Sequence, residues 1–405
     1  MRYLSGLDRN GRLLLAGKAV RSFAAGLNAV ALGLYLEELG VTGSLLGLIL
    51  TGALVGTMLL TGFVAIRGDR VGRRRLLIAG GLLMGLAALI PLAVGSPILL
   101  ALLGLSGVVT VTSNESTGLQ SVDQAAMPQT VPPGRRTAAF AAYNVVAAVA
   151  AALGALAVGP AAAFGEALGL AGAQRYAPCF VAFAACGAVA AALAATMDER
   201  IEAPRRADPG MRAIRGRGPI GRLSALYGLD SFASGLAVQS FLAFWFASRF
   251  GLPPDAIGLL FGAGHVLAAA SFPVASALSA RIGLIRTMVF THIPSSMFLI
   301  GMAVVPWAPV AAVLYLARAG LAQMDVPARQ SYTMSIVEPD ERTAAAAITN
   351  LAKSAAQTAG PVVAGSLLIP LGIGVPLIGC GVLKICYDLA LFAGFRGRPA
   401  PDEVA

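Results

Sequence analysis

Charge is scarce in this chain. Only 12% of its 405 residues are Asp, Glu, Lys or Arg, whereas 57% are hydrophobic. A chain this apolar cannot hide its side chains in one water-soluble core, so it must use lipid as its solvent. The composition therefore predicts a membrane protein.

Cysteine and histidine are rarer still, with four and two residues. Each cysteine lies inside an apolar run, where a thiol acts as a small packing residue more often than as a disulfide or metal ligand. We therefore expect no disulfide and no bound metal. The four residues are Cys179, Cys186, Cys380 and Cys386.

Two further classes of function lack support in the sequence. There is no G-x-x-x-x-G-K-S/T loop, so we expect no ATP-driven step, no cofactor and no enzymatic activity. The net charge is +10, but the basic residues form short clusters between apolar runs and no continuous stripe. This pattern argues against nucleic-acid binding.

The apolar residues fall into runs that are long enough to cross a bilayer. A membrane-spanning helix needs roughly 20 mostly apolar residues, and the runs here are rich in Gly and Ala, as closely packed membrane helices are. The sequence predicts twelve such helices in an all-α membrane protein. They are 12–36, 42–66, 76–95, 97–125, 137–163, 176–196, 222–247, 257–280, 285–307, 309–330, 343–370 and 374–394.

Basic residues concentrate in alternate loops. If the N-terminus is cytoplasmic, the inside loops hold the clusters 67–75 and 200–222, whereas the outside loops hold only Arg175 and Arg249. This asymmetry predicts a multi-pass protein of the cytoplasmic (inner) cell membrane with both termini in the cytoplasm.

The chain divides near its middle. Residues 197–221 are charged and rich in Pro and Gly, so we predict two domains, 1–196 and 222–405, joined by a cytoplasmic linker. The halves share identities at an offset of 206 residues, and RSFAAGL (21–27) matches DSFASGL (230–236). This indicates duplication, and parallel six-helix repeats are a transporter architecture. Offset identities include Gln124/Gln330, Val131/Val337, Thr137/Thr343, Asn144/Asn350, Gly154/Gly360 and Gly159/Gly365.

The loop between the second and third predicted helices reads GDRVGRRRLL, residues 68–77. Its pattern, Asp69-Arg70-x-Gly72-Arg73-Arg74-Arg75, resembles the loop signature of the major facilitator superfamily, except that Ala65 stands where the signature has its first glycine. The second half holds a weaker copy, ALSARIGLIRT, which keeps Arg281 and Gly283. With the twelve helices and the repeat, the resemblance covers nearly the whole chain. It implies two pseudo-symmetric six-helix bundles.

In that family the loop forms a cytoplasmic gate that latches the outward-facing state. The resemblance implies gate roles for Asp69, Arg70, Gly72 and Arg73, and a glycine at Gly72 permits the tight turn. The arginines could instead only enforce topology. Asp69 favours the gate, since an acidic residue adds nothing to a positive-inside signal.

Ionisable side chains inside a bilayer are costly, so they usually face a cavity or a partner. The resemblance implies that helices 1, 4, 7 and 10 line a central cavity, whereas helices 3, 6, 9 and 12 face lipid. The candidate substrate-binding residues are Arg21, Asn28, Asn114, Asp230, Arg318, Asp325, Asn350, Lys353 and Gln357.

Arg21 and Asp230 are the most suggestive of these residues. They occupy equivalent positions of the repeat with opposite charge, each about nine residues, or roughly 13 Å, into its helix. We expect them at similar depth across the cavity. The alternative is that Arg21 with Asp230, and Arg318 with Asp325 or its neighbours, are static ion pairs.

A carboxylate in a cavity that loses its water is suited to carry protons. We predict Asp230 and Glu115 as proton-coupling residues. The two histidines, His265 and His292, are expected only to pack. Further residues on the twelfth helix, Lys384 and Asp388, stand four apart, so we expect them to neutralise one another on a lipid-facing helix.

The resemblance implies a monomeric secondary active transporter that moves a small molecule by alternating access, coupled to protons or another ion. Efflux is favoured by two Gly-Pro steps, GALAVGPAAAFG on helix 5 and GPVVAG on helix 11, although helix 5 lacks the glycine pair of the antiporter signature. Two alternatives stay open. One is a proton-coupled carrier of a small anionic metabolite, favoured by Lys18, Arg21, Arg318 and Lys353; the other is a transporter-like sensor without transport activity.

Overall fold

The computed structural model describes residues 7–93, 106, 111–112, 118–131, 136–202, 217–335 and 342–396. All regular structure in this part of the chain is helical. The α-helices are α1 Arg9–Glu38, α2 Gly43–Val71, α3 Arg73–Ala93, α4 Gly118–Ala126, α5 Arg136–Leu156, α6 Val158–Ala167, α7 Ala177–Ala195, α8 Arg217–Leu236, α9 Gln239–Phe250, α10 Pro254–Ile282, α11 Leu284–Val304, α12 Ala308–Ala322, α13 Asp325–Ser335, α14 Arg342–Val363 and α15 Val375–Phe395.

Within these described ranges, nine helical segments are long and apolar enough to span a membrane. Their outer surfaces carry large apolar side chains that are more than half exposed, such as Leu59 (58%), Leu259 (63%) and Leu351 (65%). Apolar surface of this extent marks contact with an apolar environment, here lipid. Most of the predicted run 97–125 lies outside the described residues.

Three of the predicted helices are interrupted. The run 137–163 divides into α5 and α6, the run 222–247 into α8 and α9, and the run 309–330 into α12 and α13. Two of these breaks precede a proline by three residues: Ala157 lies before Pro160, and Met324 before Pro327. A proline has no N–H to donate, so a helix that restarts just before it places the missing donor in the first turn, where none is needed.

The described chain forms two compact units. Unit 1 comprises 1–206 together with 238–262, and unit 2 comprises 207–237 together with 263–405. In unit 1, α3 packs along α7, and α1 packs along α5, α7 and α9. In unit 2, α8 packs along α14 and α15, and α11 packs along α12, α13 and α15.

Glycines bring two helix pairs into backbone contact. In unit 1, a Cβ at Gly26 on α1 would collide with the backbone of Ala151, and a Cβ at Gly154 on α5 with that of Phe23. In unit 2, Gly235 on α8 and Gly360 on α14 lie against one another in the same way. Gly154 and Gly360 are identities of the repeat, so the duplication has kept this close approach in both units.

Candidate functional site

A buried ion pair lies at the centre of unit 1. The Arg21 guanidinium on α1 donates to the Asp123 carboxylate on α4, and both side chains are almost fully buried (4% and 0% exposed). Tyr143 on α5 donates its hydroxyl to the same carboxylate at 2.9 Å. The Lys18 ammonium lies 5.0 Å from the centre of the Tyr143 ring. One carboxylate thus joins α1, α4 and α5.

Unit 2 holds a larger ionic cluster around Asp230. This carboxylate on α8 accepts from Lys384 Nζ on α15 at 2.6 Å and from Arg329 Nη1 on α13 at 2.9 Å. Arg329 also contacts Asp325, one turn away, at 3.4 Å. Its guanidinium lies 5.6 Å from the centre of the Tyr227 ring. Asp230 is therefore held by two cations at once.

A histidine extends this cluster. His292 Nδ1 on α11 lies 3.0 Å from both carboxylate oxygens of Asp388 on α15. Its Nε2 lies 3.5 Å from Lys384 Nζ and 3.8 Å from Asp230 Oδ1. His292 and Asp388 are both buried, at 4% and 0% exposure. Four helices, α8, α11, α13 and α15, thus contribute charged or titratable groups to one buried cluster.

The two sites are related by the repeat with the signs of charge exchanged. Arg21 and Asp230 are equivalent, and Asp123 and Arg329 stand one residue before the matched pair Gln124 and Gln330. The arginine of unit 1 is therefore on its first helix, whereas the arginine of unit 2 is on the fourth helix of its half. The geometry that the duplication preserved is one carboxylate–arginine contact between these two helices.

The expected pairings differ from the observed ones. Arg21 and Asp230 are each satisfied inside their own unit, by Asp123 and by Arg329 with Lys384. The ion partner of Asp325 is Arg329 rather than Arg318. Arg329 lies one turn from Asp325 on the same helix, and at this spacing an arginine can reach a carboxylate.

The prediction for the twelfth helix was wrong. Lys384 and Asp388 do not neutralise one another, because they contact Asp230 and His292 instead. This face of α15 is buried, whereas Val382 and Leu389 on its other face are half exposed. A helix that faces lipid on one side still presents its other side to its own bundle, and the charges lie on that side.

The remaining predicted site residues are dispersed. Asn28 is buried, at 4% exposure; Arg318, Lys353 and Gln357 are half-buried; and Asn350 is exposed. Asn114 and Glu115 lie outside the described residues. No group of three or more His, Cys, Asp or Glu side chains in the described ranges could hold a metal ion, and the four cysteines are free thiols.

Five members of the two sites were not among the predicted site residues. Asp123 and Arg329 could have been found from the repeat, since each directly precedes a matched glutamine. His292, Lys384 and Asp388 had no such signal, because their role depends on which faces of α11 and α15 meet. The five are Asp123, His292, Arg329, Lys384 and Asp388.

The loop that joins α2 to α3 is bound to the start of the linker. Gly72 has a positive φ of 98°, which a residue with a side chain adopts only under strain. The backbone N–H groups of Arg73 and Arg74, at the start of α3, donate to the Glu202 carboxylate at 2.7 and 3.2 Å. Arg73 Nη1 donates to the Ile201 carbonyl at 3.1 Å. The side chains of Asp69 and Arg70 lie outside the described part.

Nearly the whole chain matches one family model. The model described as Major Facilitator Superfamily matches residues 14–323 and, in a second match, 223–405. The chain belongs to this superfamily. Its members are transporters and not enzymes, so the chain is a multi-pass membrane transporter with the all-helical fold of the superfamily.

Several proteins resemble this superfamily member over nearly their full length. It is 25% identical to the uncharacterized membrane protein YJR124C of Saccharomyces cerevisiae, covering 97% of this chain and 95% of that protein. A bacterial homologue of the human lysosomal transporter Spinster, inward-facing and occupied, matches with a TM-score of 0.73, 17% identity and coverage of 95% and 96%. The D-xylose-proton symporter matches with a TM-score of 0.72, 15% identity and coverage of 97% and 98%. At these identities the two structures share the fold alone.

Proposed function

We propose that this transporter exports a small molecule across the cytoplasmic membrane in exchange for protons, by alternating access, with both termini in the cytoplasm. The observation that supports it is the repeated carboxylate–arginine contact, Asp123 with Arg21 and Asp230 with Arg329. A buried carboxylate binds a proton most easily when its cationic partner has moved away. Proton binding and side-chain rearrangement are then linked, as coupled transport requires.

Export is favoured by the packing of the first Gly-Pro step. A Cβ at Gly159 would lie 2.6 Å from Asp255 Cα, in the first turn of α10. The second Gly-Pro step, at Gly360-Pro361, precedes a π-helical segment, Ala364–Leu368. Both steps create close contact or local irregularity in helices of a repeat, and such positions are typical of transporter helices that bend. Antiporters of the superfamily carry a related signature on helix 5.

The test is flux into proteoliposomes under an imposed pH gradient, screened over lipophilic cations, organic anions and sugars. We expect the gradient to drive flux of at least one class in the wild type. Asp123→Asn and Asp230→Asn should abolish the gradient-driven flux. Asp198→Asn, which alters an exposed carboxylate paired with Arg9, is the matched control and should retain it. The proposal would be overturned if the flux of every substrate class were independent of the pH gradient.

The second candidate is a carrier of a small anionic metabolite. Its support is that two cations, Arg318 and Lys353, are only half-buried, so they could bind a carboxylate or phosphate from a cavity. Arg318→Gln and Lys353→Gln distinguish the candidates. An anion carrier should lose binding of the organic anion in both variants, whereas an exporter of lipophilic cations should keep its binding.

We also propose that residues 68–75 act as a gate, through Asp69, Arg70, Gly72 and Arg73. The contact of Glu202 with the start of α3 supports this, because it fixes the loop against the linker. Asp69→Asn should slow transport while the affinity for the substrate stays unchanged. If the transport rate of this variant were unchanged, the loop would serve only to set the membrane topology.

A further inference from the structure

His292 occupies a position that a merely packed histidine would not need. It lies between an anion and a cation, with Asp388 at its Nδ1 and Lys384 at its Nε2. Both neighbours are on α15, one turn apart, and both are buried. Every polar atom of the imidazole therefore faces a charged group.

The contacts define the protonation state of the ring. An ammonium group has three donors and no acceptor, so the Nε2 atom that faces Lys384 must offer its lone pair. The proton of the neutral imidazole is then on Nδ1, where it is donated to Asp388. This arrangement assigns the tautomer with Nε2 unprotonated and able to accept a proton.

A proton on Nε2 would change the cluster around it. The lone pair that accepts from Lys384 would be lost, and two cations would face each other at about the observed 3.5 Å. The new N–H would also compete with Lys384 for Asp230 Oδ1, which lies 3.8 Å from Nε2. Protonation therefore weakens the contact of 2.6 Å between Lys384 and Asp230.

The charges in direct contact favour an additional proton. Two carboxylates, Asp230 and Asp325, contact the cations Arg329 and Lys384, and a third carboxylate, Asp388, contacts His292. One proton on His292 makes this set neutral, and buried sets of charges are least costly when they are balanced. Two further cations lie on neighbouring helices. Lys353 is on α14, which packs along α8. Arg318 is on α12, where its carbonyl accepts from Ser295 of α11 at 3.4 Å.

A nearby hydroxyl has no hydrogen bond. Tyr387 Oη is buried without a hydrogen-bond partner among the described residues, and the Tyr387 ring meets the His292 ring edge to face at 6.0 Å. Tyr387 lies three residues from Lys384, on the same side of α15. A buried hydroxyl without a partner costs free energy, so it is available to accept from an ammonium group that leaves Asp230. Tyr227, the other tyrosine of the cluster, already bonds Thr333 at 3.1 Å.

We propose that His292 and Asp388 form a proton-binding site on α11 and α15, and that a proton bound at His292 Nε2 releases Lys384 from Asp230. The site lies on helices that were expected to face lipid rather than on those expected to line the cavity. The assignment of this proton as the transported coupling ion rests on the proposed function. The binding of the proton and its effect on Lys384 do not.

The test uses the small number of histidines. With only His265 and His292 in the chain, protein labelled at the histidine Cε1 carbon gives two imidazole signals, and His265→Gln assigns them. We expect the His292 signal to report the uptake of a single proton as the pH is lowered. Lys384→Met and Asp388→Asn should each move its midpoint by about 1–3 pH units, the effect of a charge in direct contact. Cys386→Ser, an exposed position of the same helix, is the matched control and should leave the midpoint unchanged.

Two results would overturn the proposal. One is a His292 signal that keeps one protonation state at every pH at which the protein stays folded, and the other is a midpoint that is unchanged by Lys384→Met. Since Asp388→Asn preserves shape, it reports on the site even if His292→Gln fails to fold. Once a substrate is known, His292→Gln and Asp388→Asn should keep substrate exchange and lose gradient-driven accumulation. A titrating His292 without any gradient-driven flux would reject the coupling in the proposed function while the proton site stands.

Discussion

The two units share one backbone plan and differ in their ionic sites. Both bring a first and a fifth helix of the repeat together through Gly154 and its equivalent Gly360. In unit 1 a single carboxylate, Asp123, is held by Arg21 and Tyr143. In unit 2 the equivalent contact is part of a cluster that reaches α11 and α15. Duplication has therefore conserved close backbone contacts, whereas the ionic cluster described in unit 2 joins four helices and the site described in unit 1 joins three.

The largest effect should come from removing the central carboxylate of unit 2. Asp230→Ala leaves Lys384 and Arg329 without it, and breaking a buried ion pair costs about 3–5 kcal/mol. Asp123→Ala removes the carboxylate from Arg21 and Tyr143, and we expect it to cost less than the loss of a carboxylate that contacts two cations. Detergent-based unfolding measures both. Fluorescence separates the units, because Trp245 belongs to unit 1 and Trp307 to unit 2, and single-tryptophan variants report each alone. Equal losses for the two variants would contradict the difference between the sites.

The equivalent glycines Gly154 and Gly360 test the close helix contacts that the two units share. Gly154→Val and Gly360→Val should lower the free energy of unfolding by similar amounts, about 1–3 kcal/mol each, because both force helices apart. Gly320→Ala is the control, since no atom lies within 4 Å of the added Cβ, and it should be neutral or slightly stabilising. If one valine variant proved harmless, the two helix contacts would not be equivalent.

The starts of α3 and α11 also differ between the units. Both follow a glycine of positive φ, Gly72 at 98° and Gly283 at 87°, but only α3 has a carboxylate, Glu202, at its N–H groups. Glu202→Ala should cost about 0.5–2 kcal/mol, as the loss of a helix cap does. Faster amide hydrogen exchange at residues 73–76, with α11 unaffected, would identify the cause. Unchanged exchange in α3 would mean that the carboxylate is dispensable.

The smallest effect should come from the exposed pair of unit 1. Arg9 and Asp198 are in contact at 3.0 Å, with side chains 59% and 49% exposed. Solvent screens such pairs, which are worth about 0.2–1 kcal/mol. Asp198→Asn should therefore shift unfolding far less than Asp123→Ala, and the difference should shrink further in high salt. If Asp198→Asn lowered the free energy of unfolding as much as Asp123→Ala, burial would not determine how much an ion pair contributes to stability.

Much of the architecture follows from the sequence, because the length of an apolar run and its flanking charges depend on few residues. The repeat also located Arg21 and Asp230 at buried positions. The partners could not be inferred in the same way. The i,i+4 rule, applied to Lys384 and Asp388, ignores neighbouring helices, and on α15 those neighbours supply Asp230 and His292. The helix breaks at Ala157 and Met324 each precede a proline, but Pro273, Pro294 and Pro361 lie inside unbroken helices. Prolines alone therefore could not locate the breaks.

The hydrogen bonds of Glu202 and Ile201 with the start of α3 bear on where the chain can be divided into two polypeptides. All of these bonds are made by residues at or before position 202. A gene split between codons 203 and 216 would therefore leave the hydrogen bonds between the start of α3 and residues 201–202 within the first polypeptide.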